Sequence, residues 1–596
     1  MERVADYIIR KVQEAGVEHV FMVTGRGILY LTDAVARNKD IVSFSTFHEQ
    51  GASYAAMAYS LARDGLSACL ISSGCAAANA VTAALCAYQD NLPVVFISGN
   101  NPLKENTRHT GAKIRTYGSQ ETDIIRIVES VTKYAIMLEE HDRIVYEVEK
   151  ALYLIQEGRR GPAWIDVPLD VQNMRIEESK MEHYLPNPNL RNDIGTDVQK
   201  VKEDLEGAER PILLIGGGSS GAKTEIRQIA EELGIPVAFS PAAADVYGSA
   251  NRNSVGAVGS LGGSRSGNFA VQNCDYLLAV GTKLCTQLTG AKEKFARDAK
   301  ITVVDIDPIE HTKDGIRIDQ LIISDARDFL KALLNAKPRL VCEDWQNQCI
   351  HWKKVFDVSN EVFVRELKEN NRIDLYSLMS ELSNVLPVDA TIITDAGLEE
   401  LIVPSVIQFR DGQRCLFPAS QGAMGYAIPA IIGAYEAGRR DIVCIVGDGS
   451  IMMNIQELQI IKSLQIPVKI IVINNAMYAI IRKRQRDLFR KRTIGNDPTD
   501  GVPQPDFRAM ASGFGLKYKR IENREELLET LKGLFVETDG HPVLIEIMCT
   551  PDQKYLHESY VLNENRRLVH RPIEDMSPFL PRELVNKEMV IRMMEE

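Results

Sequence analysis

The sequence predicts an α/β protein built from three doubly wound, parallel-sheet domains. Three observations predict it. The 596 residues exceed what one hydrophobic core can organise. Short unbroken apolar runs end in Gly, Ser or Pro. Helical patterns alternate with those runs, as in βαβ units, where helices cover both faces of a parallel sheet and its strands read as continuous apolar stretches. Hydrophobic content of 45% and charged content of 25% are ordinary for a globular chain. A net charge of −12 lacks the basic surplus of a nucleic-acid binder. No apolar run of about 18 residues occurs, so no membrane span is expected. Met1-Glu2-Arg3 opens directly into an amphipathic pattern (Val4, Ile8, Ile9, Val12), so no signal peptide is expected. The ten cysteines are scattered without a C-x-x-C pair. They fit buried thiols in a reducing cytoplasm better than disulfides or zinc.

The elements follow in order. The first domain, residues 1–185, has strands at Val20–Val23, running into Thr24-Gly-Arg-Gly27, and at Ala68–Ile71, running into Ser72-Ser-Gly74. Two more lie at Val94–Ile97 and Ala163–Asp166. Pro186-Asn-Pro-Asn189 is expected to be a linker. The second domain, 190–340, holds strands Pro211–Ile215, Tyr276–Val280 and Ile301–Val304. Gly216–Gly218 after the first of these either approaches a phosphate or makes a plain tight turn, since G-x-G-x-x-G is not matched. A charged helical connector, about 343–370, leads to the third domain, 360–555, with strands Thr391–Thr394, Ile442–Val446, Val468–Ile473 and Val543–Ile547. The first and third units share a strand–helix rhythm. The polar, Arg- and Glu-rich tail, 556–596, is expected to pack over another part of the protein.

The chemistry concentrates in Gly447-Asp448-Gly449-Ser450, followed after Gly449 by 24 residues and then Asn474-Asn475. A strand ends at Val446, and the turn exposes backbone N–H groups at the start of the next helix, which makes an anion site suited to a diphosphate. Asp448 and Asn475, at the ends of neighbouring strands, supply hard oxygen ligands for Mg²⁺ bridging phosphate oxygens. A lone G-D-G is a common turn; the N-N at this spacing makes it specific.

Gly447 to Met477 resembles the thiamine diphosphate (ThDP) motif, GDG followed by NN, of acetolactate synthase and its relatives. The resemblance extends over nearly the whole chain: Phe47-His-Glu-Gln50-Gly51-Ala52 is similar to the family's HEQGA segment, Gly118-Ser-Gln120-Glu-Thr-Asp123 to its F-Q-E-x-D, and Gly161-Pro162 through Asp166-Val-Pro168 to its G-P-V-x-x-D-x-P. Gly422-Ala-Met424-Gly425 is similar to its pyrimidine-binding loop, and Asn454-Ile-Gln-Glu457-Leu458 to the helix after the metal site. The resemblance implies the domain order pyrimidine-binding, central, diphosphate-binding. It implies metal ligation by Asp448, Asn475 and the main-chain carbonyl of Met477. Cofactor contacts are implied for Glu49, Asn79, Gly397, Gly422, Met424, Gly447, Asp448, Gly449, Ser450, Asn475, Met477 and Tyr478. Glu49 would hydrogen-bond the aminopyrimidine ring nitrogen, a role suited to a carboxyl sheltered among Phe47, Ala52 and Ala56. Met424 would prop the cofactor in a bent shape, the alternative being a core methionine. Gln120 and Gly27 would face the reacting carbon, the alternative for Gln120 being a surface amide. Because Glu49 and Asp448 serve one cofactor from different subunits in the family, a homodimer or homotetramer is implied.

Departures shape the functional expectation. Where acetolactate synthases carry G-Q-H-Q, this chain has Gly397-Leu-Glu-Glu400, which puts side-chain diphosphate contacts in doubt. The family's P-G-G turn is Gly25-Arg26-Gly27, and the phenylalanine before the glutamine is Ser119. Val280-Gly-Thr-Lys283 and Asp305-Ile-Asp-Pro308 echo the region that holds FAD in the family, but Leu284-Cys-Thr-Gln287 replaces its Arg/Asp-rich segment, which weighs against FAD. Two basic stretches, Lys104–Arg115 with Arg108 and His109, and Arg482–Arg492 with Arg484 and Arg486, fall where the family's substrate channel opens. They and Arg26 either focus an anionic substrate or form solvated faces and ion pairs. The expected activity is ThDP- and Mg²⁺-dependent decarboxylation of a 2-keto acid of pyruvate type. The acyl unit then passes to a carbonyl acceptor, with an anionic keto sugar nucleotide as the acceptor class that the basic stretches suit. The rival readings are acetolactate synthase proper, a ThDP-dependent C–C hydrolase of cyclic diones, and a ThDP-binding relative without turnover.

Overall fold

A computed structural model describes residues 1–186, 193–536, 540–551, 553–554, 560–562 and 567–594. It contains three six-stranded parallel sheets with helices on their faces. The first sheet runs Val42–Ser45, His19–Met22, Ser67–Ile71, Val94–Asn100, Ala163–Pro168, Tyr134–Met137. The third runs Arg414–Leu416, Thr391–Ile393, Ile442–Gly447, Val468–Asn474, Val543–Met548, Lys517–Ile521. Numbered by chain order within each domain, both read 2-1-3-4-6-5. The middle sheet reads 3-2-1-4-5-6, from Ser254–Ala257 through Pro211–Ile215 and Tyr276–Val280 to Gln320–Ile323.

These orders decide where ligands can enter. In doubly wound sheets the crevice opens beyond the carboxyl ends of the two strands where the winding reverses. In the third domain those strands are Thr391–Ile393 and Ile442–Gly447, so Asp395–Gly397 and Gly447–Gly449 face one crevice. In the first domain they are His19–Met22 and Ser67–Ile71, which brings Thr24–Gly27 next to Ser72–Gly74. In the middle domain Gly216–Gly218 meets Gly281, and a Cβ on Gly218 would lie 3.0 Å from the Gly281 carbonyl oxygen. Gly216 and Gly218 are therefore required by the close crossing of two strand ends, whereas Gly217 has room for a side chain.

Helix Glu49–Arg63 ties the first and third domains together. It is alanine-rich and buried on nearly every side (Ala52, Ala55, Ala56, Ala58). Its partner is helix Ala427–Glu436, and a Cβ on Gly433 would collide with the Ala55 carbonyl. The connector is more than a spacer. Its helix Glu343–Val355 buries Trp345 and Trp352 in the middle domain's core, and Trp345 Nε1 donates to the Pro211 carbonyl at 3.0 Å. The described part of the tail packs on the same domain: Ile573, Met576 and Val585 join that core, and buried Glu574 accepts from Gln272 and Arg297 at 2.6 and 2.8 Å. Asn187–Asn189 of the expected linker, and tail residues 556–559 and 563–566, lie outside the described residues. Among the described residues no helix is long and apolar enough to cross a membrane.

Candidate active site

The parallel register Gly447↔Ile473 sets Asp448 beside the Asn474–Met477 turn. Asp448 Oδ2 accepts the Ala476 N–H at 2.8 Å, its own N–H donates to the Ile473 carbonyl at 3.0 Å, and Asn475 Oδ1 accepts the Met477 N–H at 3.1 Å. Burial pushes the Asp448 carboxyl up to about 6, opposed chiefly by backbone N–H groups. A divalent cation would offset that buried charge. Among the described residues no cluster of three His, Cys, Asp or Glu side chains forms a metal site. The donors on hand are one carboxylate, one amide and main-chain carbonyls, the hard oxygen set that Mg²⁺ takes when phosphates supply the rest. A Cβ on Gly449 would collide with the Tyr478 ring, so glycine lets the tyrosine close over the turn.

Ser450 and Asp395 join this turn to the Gly422–Ala427 loop. Ser450 Oγ donates to Asp395 Oδ2 at 2.6 Å and accepts the Gly425 N–H at 2.9 Å, while Asp395 Oδ2 also accepts the Ala427 N–H at 3.2 Å. The Ser450 hydroxyl is thereby engaged, and its main-chain N–H is what remains for a phosphate oxygen. Gly422 and Gly425 have φ of +54° and +85°, the left-handed region that shapes this loop. Met424 at its tip is only half-buried, unlike a core methionine.

The Gly397-Leu-Glu-Glu400 departure has a structural answer. Glu399 is buried, and its carboxyl sits between the two turns of the crevice: a Cβ on Gly397 would lie 2.9 Å from it, and one on Gly447 3.5 Å. Burial, then the charges of Asp395 and Asp448, push Glu399 up to about 8. A neutral carboxylic acid donates a hydrogen bond to a phosphate oxygen instead of repelling it. Glu400, beside Gly422, is likewise pushed up to about 8, by burial and by Asp90 and Asp395. The residues present fit ThDP and Mg²⁺.

Glu49 opens its helix, half-buried, and its Oε2 accepts from Asn79 Nδ2 at 2.9 Å. The expected shelter is corrected in part: Ala52 and Ala56 are buried, but Phe47 is 61% exposed in the single chain. Gly27 is buried, its N–H donating to Ser72 Oγ at 3.2 Å and its carbonyl accepting from Gln172 at 2.6 Å. Gln120 is exposed, and a Cβ on Gly74 would lie 2.5 Å from its carbonyl oxygen, so Gly27, Ser72–Gly74 and Gln120 form one cluster. No hydrogen bond or ion pair among the described residues joins Glu49, Gln120 or Gly27 directly to Asp448 or Asn475. Two residues absent from the expected site connect the halves from behind. Asn454 Nδ2 donates to Gln50 Oε1 and to the Gly425 carbonyl, both at 2.9 Å. Buried Glu457, pushed up to about 7 by desolvation, accepts the Phe47 N–H at 3.2 Å. Their signal was the N-x-x-E that begins after Ile451-Met452-Met453, downstream of the G-D-G-S turn.

The basic stretches are less uniform than expected. Arg108 Nε pairs with Glu139 at 3.0 Å and His109 Nε2 lies 3.7 Å from the same carboxylate, so these two are not free to attract an anion. On helix Ala479–Leu488, Arg482 pairs with Asp497 at 3.0 Å and Lys483 with Asp487 at 2.8 Å. Arg484 is exposed, Arg486 is half-buried on the same helix, and Arg26 is exposed at the first domain's crevice. The segments compared with the FAD region, among them Gly281, Leu284 and Asp305, line with Gly217 a cavity of about 600 Å³ that reaches Glu400 and Ser420.

The chain matches three family descriptions in succession: "Thiamine pyrophosphate enzyme, N-terminal TPP binding domain" over residues 2–126, its "central domain" over 198–333, and its "C-terminal TPP binding domain" over 395–547. It is 31% identical over 567 residues to the acetolactate synthase large subunit of Cyanidium caldarium, covering 90% of this chain and 92% of that one. It is 30% identical over 564 residues to the probable acetolactate synthase large subunit of Methanocaldococcus jannaschii, covering 92% of each. This chain belongs to the ThDP enzymes of the acetolactate synthase-like family. As a ThDP enzyme it carries the two cofactor-binding domains at its ends, which explains why the first and third sheets share one strand order and the middle sheet does not.

Proposed function

We propose that this ThDP enzyme decarboxylates a 2-keto acid of pyruvate type and transfers the acyl unit to an anionic carbonyl acceptor, a keto sugar nucleotide being the best-matched class. The single observation that carries the reading is the oxygen pair Asp448–Asn475 in a crevice that also holds the buried Glu399 carboxyl. ThDP, when bound, supplies a carbon nucleophile and an electron sink for breaking a bond next to a carbonyl. Asp448, Asn475 and the Met477 carbonyl would hold Mg²⁺, and the Gly449 and Ser450 N–H groups with Glu399 would bind the diphosphate. Glu49, oriented by Asn79, would exchange a proton with the pyrimidine ring nitrogen. Met424 would set the cofactor's bend, and Gln120 with Gly27 would line the substrate's reacting carbon. Since Glu49 and Asp448 open from different crevices, a homodimer, or a homotetramer built from it, would complete each site.

The acceptor assignment now rests on Arg26 and Arg484, since Arg108 and His109 lie against Glu139. Acetolactate synthase proper is the second reading, favoured by the relatives at 30–31% identity. One assay separates them: pyruvate alone, then pyruvate with neutral and anionic keto acceptors. Carbon dioxide release that rises only with an anionic acceptor supports the proposal. Acetolactate formed efficiently from pyruvate alone replaces it with the second reading.

A further inference from the structure

The loop that carries Gln120 is held by three buried polar side chains to which no role has so far been given. Gln120 has φ +59°, a left-handed conformation that a non-glycine residue keeps only when its surroundings enforce it. Both flanks are pinned. Asn101 Nδ2 donates to the Ser119 carbonyl at 2.6 Å, and Asn100 Nδ2 donates to the Thr122 carbonyl at 2.9 Å. Asn100 Oδ1 accepts the Asn101 N–H at 2.9 Å, which fixes the two amides relative to one another. Behind them Asp166 accepts from Asn100 Nδ2 at 2.8 Å and from Ser98 Oγ at 2.6 Å, and Trp164 Nε1 donates to Ser98 Oγ at 2.8 Å. Asn100, Asn101 and Asp166 are 2%, 4% and 0% exposed, whereas Ser119 and Gln120 lie on the surface. A buried, fully partnered network thus grips an exposed turn that has no regular secondary structure.

We propose that Asn101, oriented by Asn100 and Asp166, is a positioning residue for Gln120. It holds the Ser119 carbonyl so that Gln120 stays in its left-handed conformation, and the direction of the Gln120 side chain follows from that backbone angle. Without the Asn101 N–H the peptide relaxes toward negative φ and the amide moves away from the reacting carbon. A displacement on the order of 1 Å of a group that contacts substrate can cost about a hundredfold in rate. The proposal rests on the reading of Gln120 as a substrate-facing group.

The test uses the full-length holoenzyme. Asn101→Leu keeps the side chain's shape and removes the donor, while the exposed Ser119 carbonyl can turn to water. Hydrogen exchange at the amides of residues 119–122 should speed up clearly in this variant. Its kcat for pyruvate should fall about 10- to 100-fold, while ThDP affinity measured by calorimetry stays within about threefold, because no cofactor contact is touched. Gln120→Ala should lower kcat similarly without loosening the loop. The double variant should be no slower than Gln120→Ala alone, since a side chain already absent cannot be misplaced. If Asn101→Leu does not fold, Asn101→Ser, whose hydroxyl is too short to reach Ser119, serves in its place. Unchanged exchange at 119–122, or fully additive losses in the double variant, overturns the proposal. Wild-type kcat in Gln120→Ala overturns it together with the role given to Gln120. Absence of pyruvate turnover in the wild-type enzyme counts against the function proposed above, and the exchange measurement then decides the clamp by itself.

Discussion

Asp448 and Glu49 make opposite demands on the cofactor, so their variants should fail differently. Asp448→Ala removes the carboxylate that would hold the metal, and calorimetry should find ThDP affinity lowered by orders of magnitude; unchanged affinity would refute the metal assignment. Glu49→Gln keeps the hydrogen-bonding shape toward Asn79 but cannot pass a proton. It should leave ThDP binding nearly intact and slow deuterium exchange at C2 by about 10²–10⁴, read by NMR after acid quench. Glu399 adds a pH dependence. Its carboxyl stands near 8 in the fold against about 4.5 for an ordinary exposed glutamate. Between those values the folded apo chain keeps a proton that the unfolded chain has lost, so stability falls as pH rises through that window. Glu399→Gln, neutral throughout, should flatten the decline in Tm from about pH 5 to 8; an unchanged slope would show that Glu399 is ionised in the fold. None of this environment was legible in the sequence, where Glu399-Glu400 read as a loss of diphosphate contacts. The answer depended on burial between two glycine turns.

Strands were legible in proportion to their burial. Ser67–Ile71, Val94–Asn100, Pro211–Ile215, Tyr276–Val280, Ile442–Gly447 and Val468–Asn474 lie inside their sheets, covered on both faces, and their apolar runs show it. The edge strands were missed. Val42–Ser45 and Lys517–Ile521 are largely exposed and read as V-S-F-S and K-Y-K-R-I, because an edge strand needs no unbroken apolar run and benefits from charge against edge-to-edge pairing. Val237–Phe239 was missed for shortness, being three residues long. At the helix level, Gly433 marks the tightest contact between the cofactor-binding domains. Gly433→Val should destabilise the chain by about 1–3 kcal/mol or more, as overpacking does, because the added carbons meet Ala55 backbone that cannot move aside. A thermal-unfolding midpoint equal to wild type would show that the two helices can part.

For the whole molecule, the separation of Glu49 from Asp448 makes a prediction that no single variant can test. If each cofactor spans two chains, subunits carrying Glu49→Gln and subunits carrying Asp448→Ala are both inactive alone. Unfolded together and refolded, half of the dimers would be mixed, and each mixed C2 dimer would contain one intact site, restoring about a quarter of the wild-type activity. No recovery, with dimers verified by light scattering, would mean that one chain serves its own cofactor. The sequence by itself determined the three parallel-sheet domains, the GDG–NN pair and the carboxyl at Glu49, because buried strands, glycine turns and metal ligands are local patterns that leave a trace in residue order. Only the tertiary structure decided that Glu399 is buried between two glycine turns, that Glu139 pairs with Arg108, that Asn454 and Glu457 join the two domains, and that Asn101 grips the Gln120 loop. Each of these depends on groups brought together across tens to hundreds of residues, or on burial that shifts a proton, and such distances and environments exist only once the chain has folded.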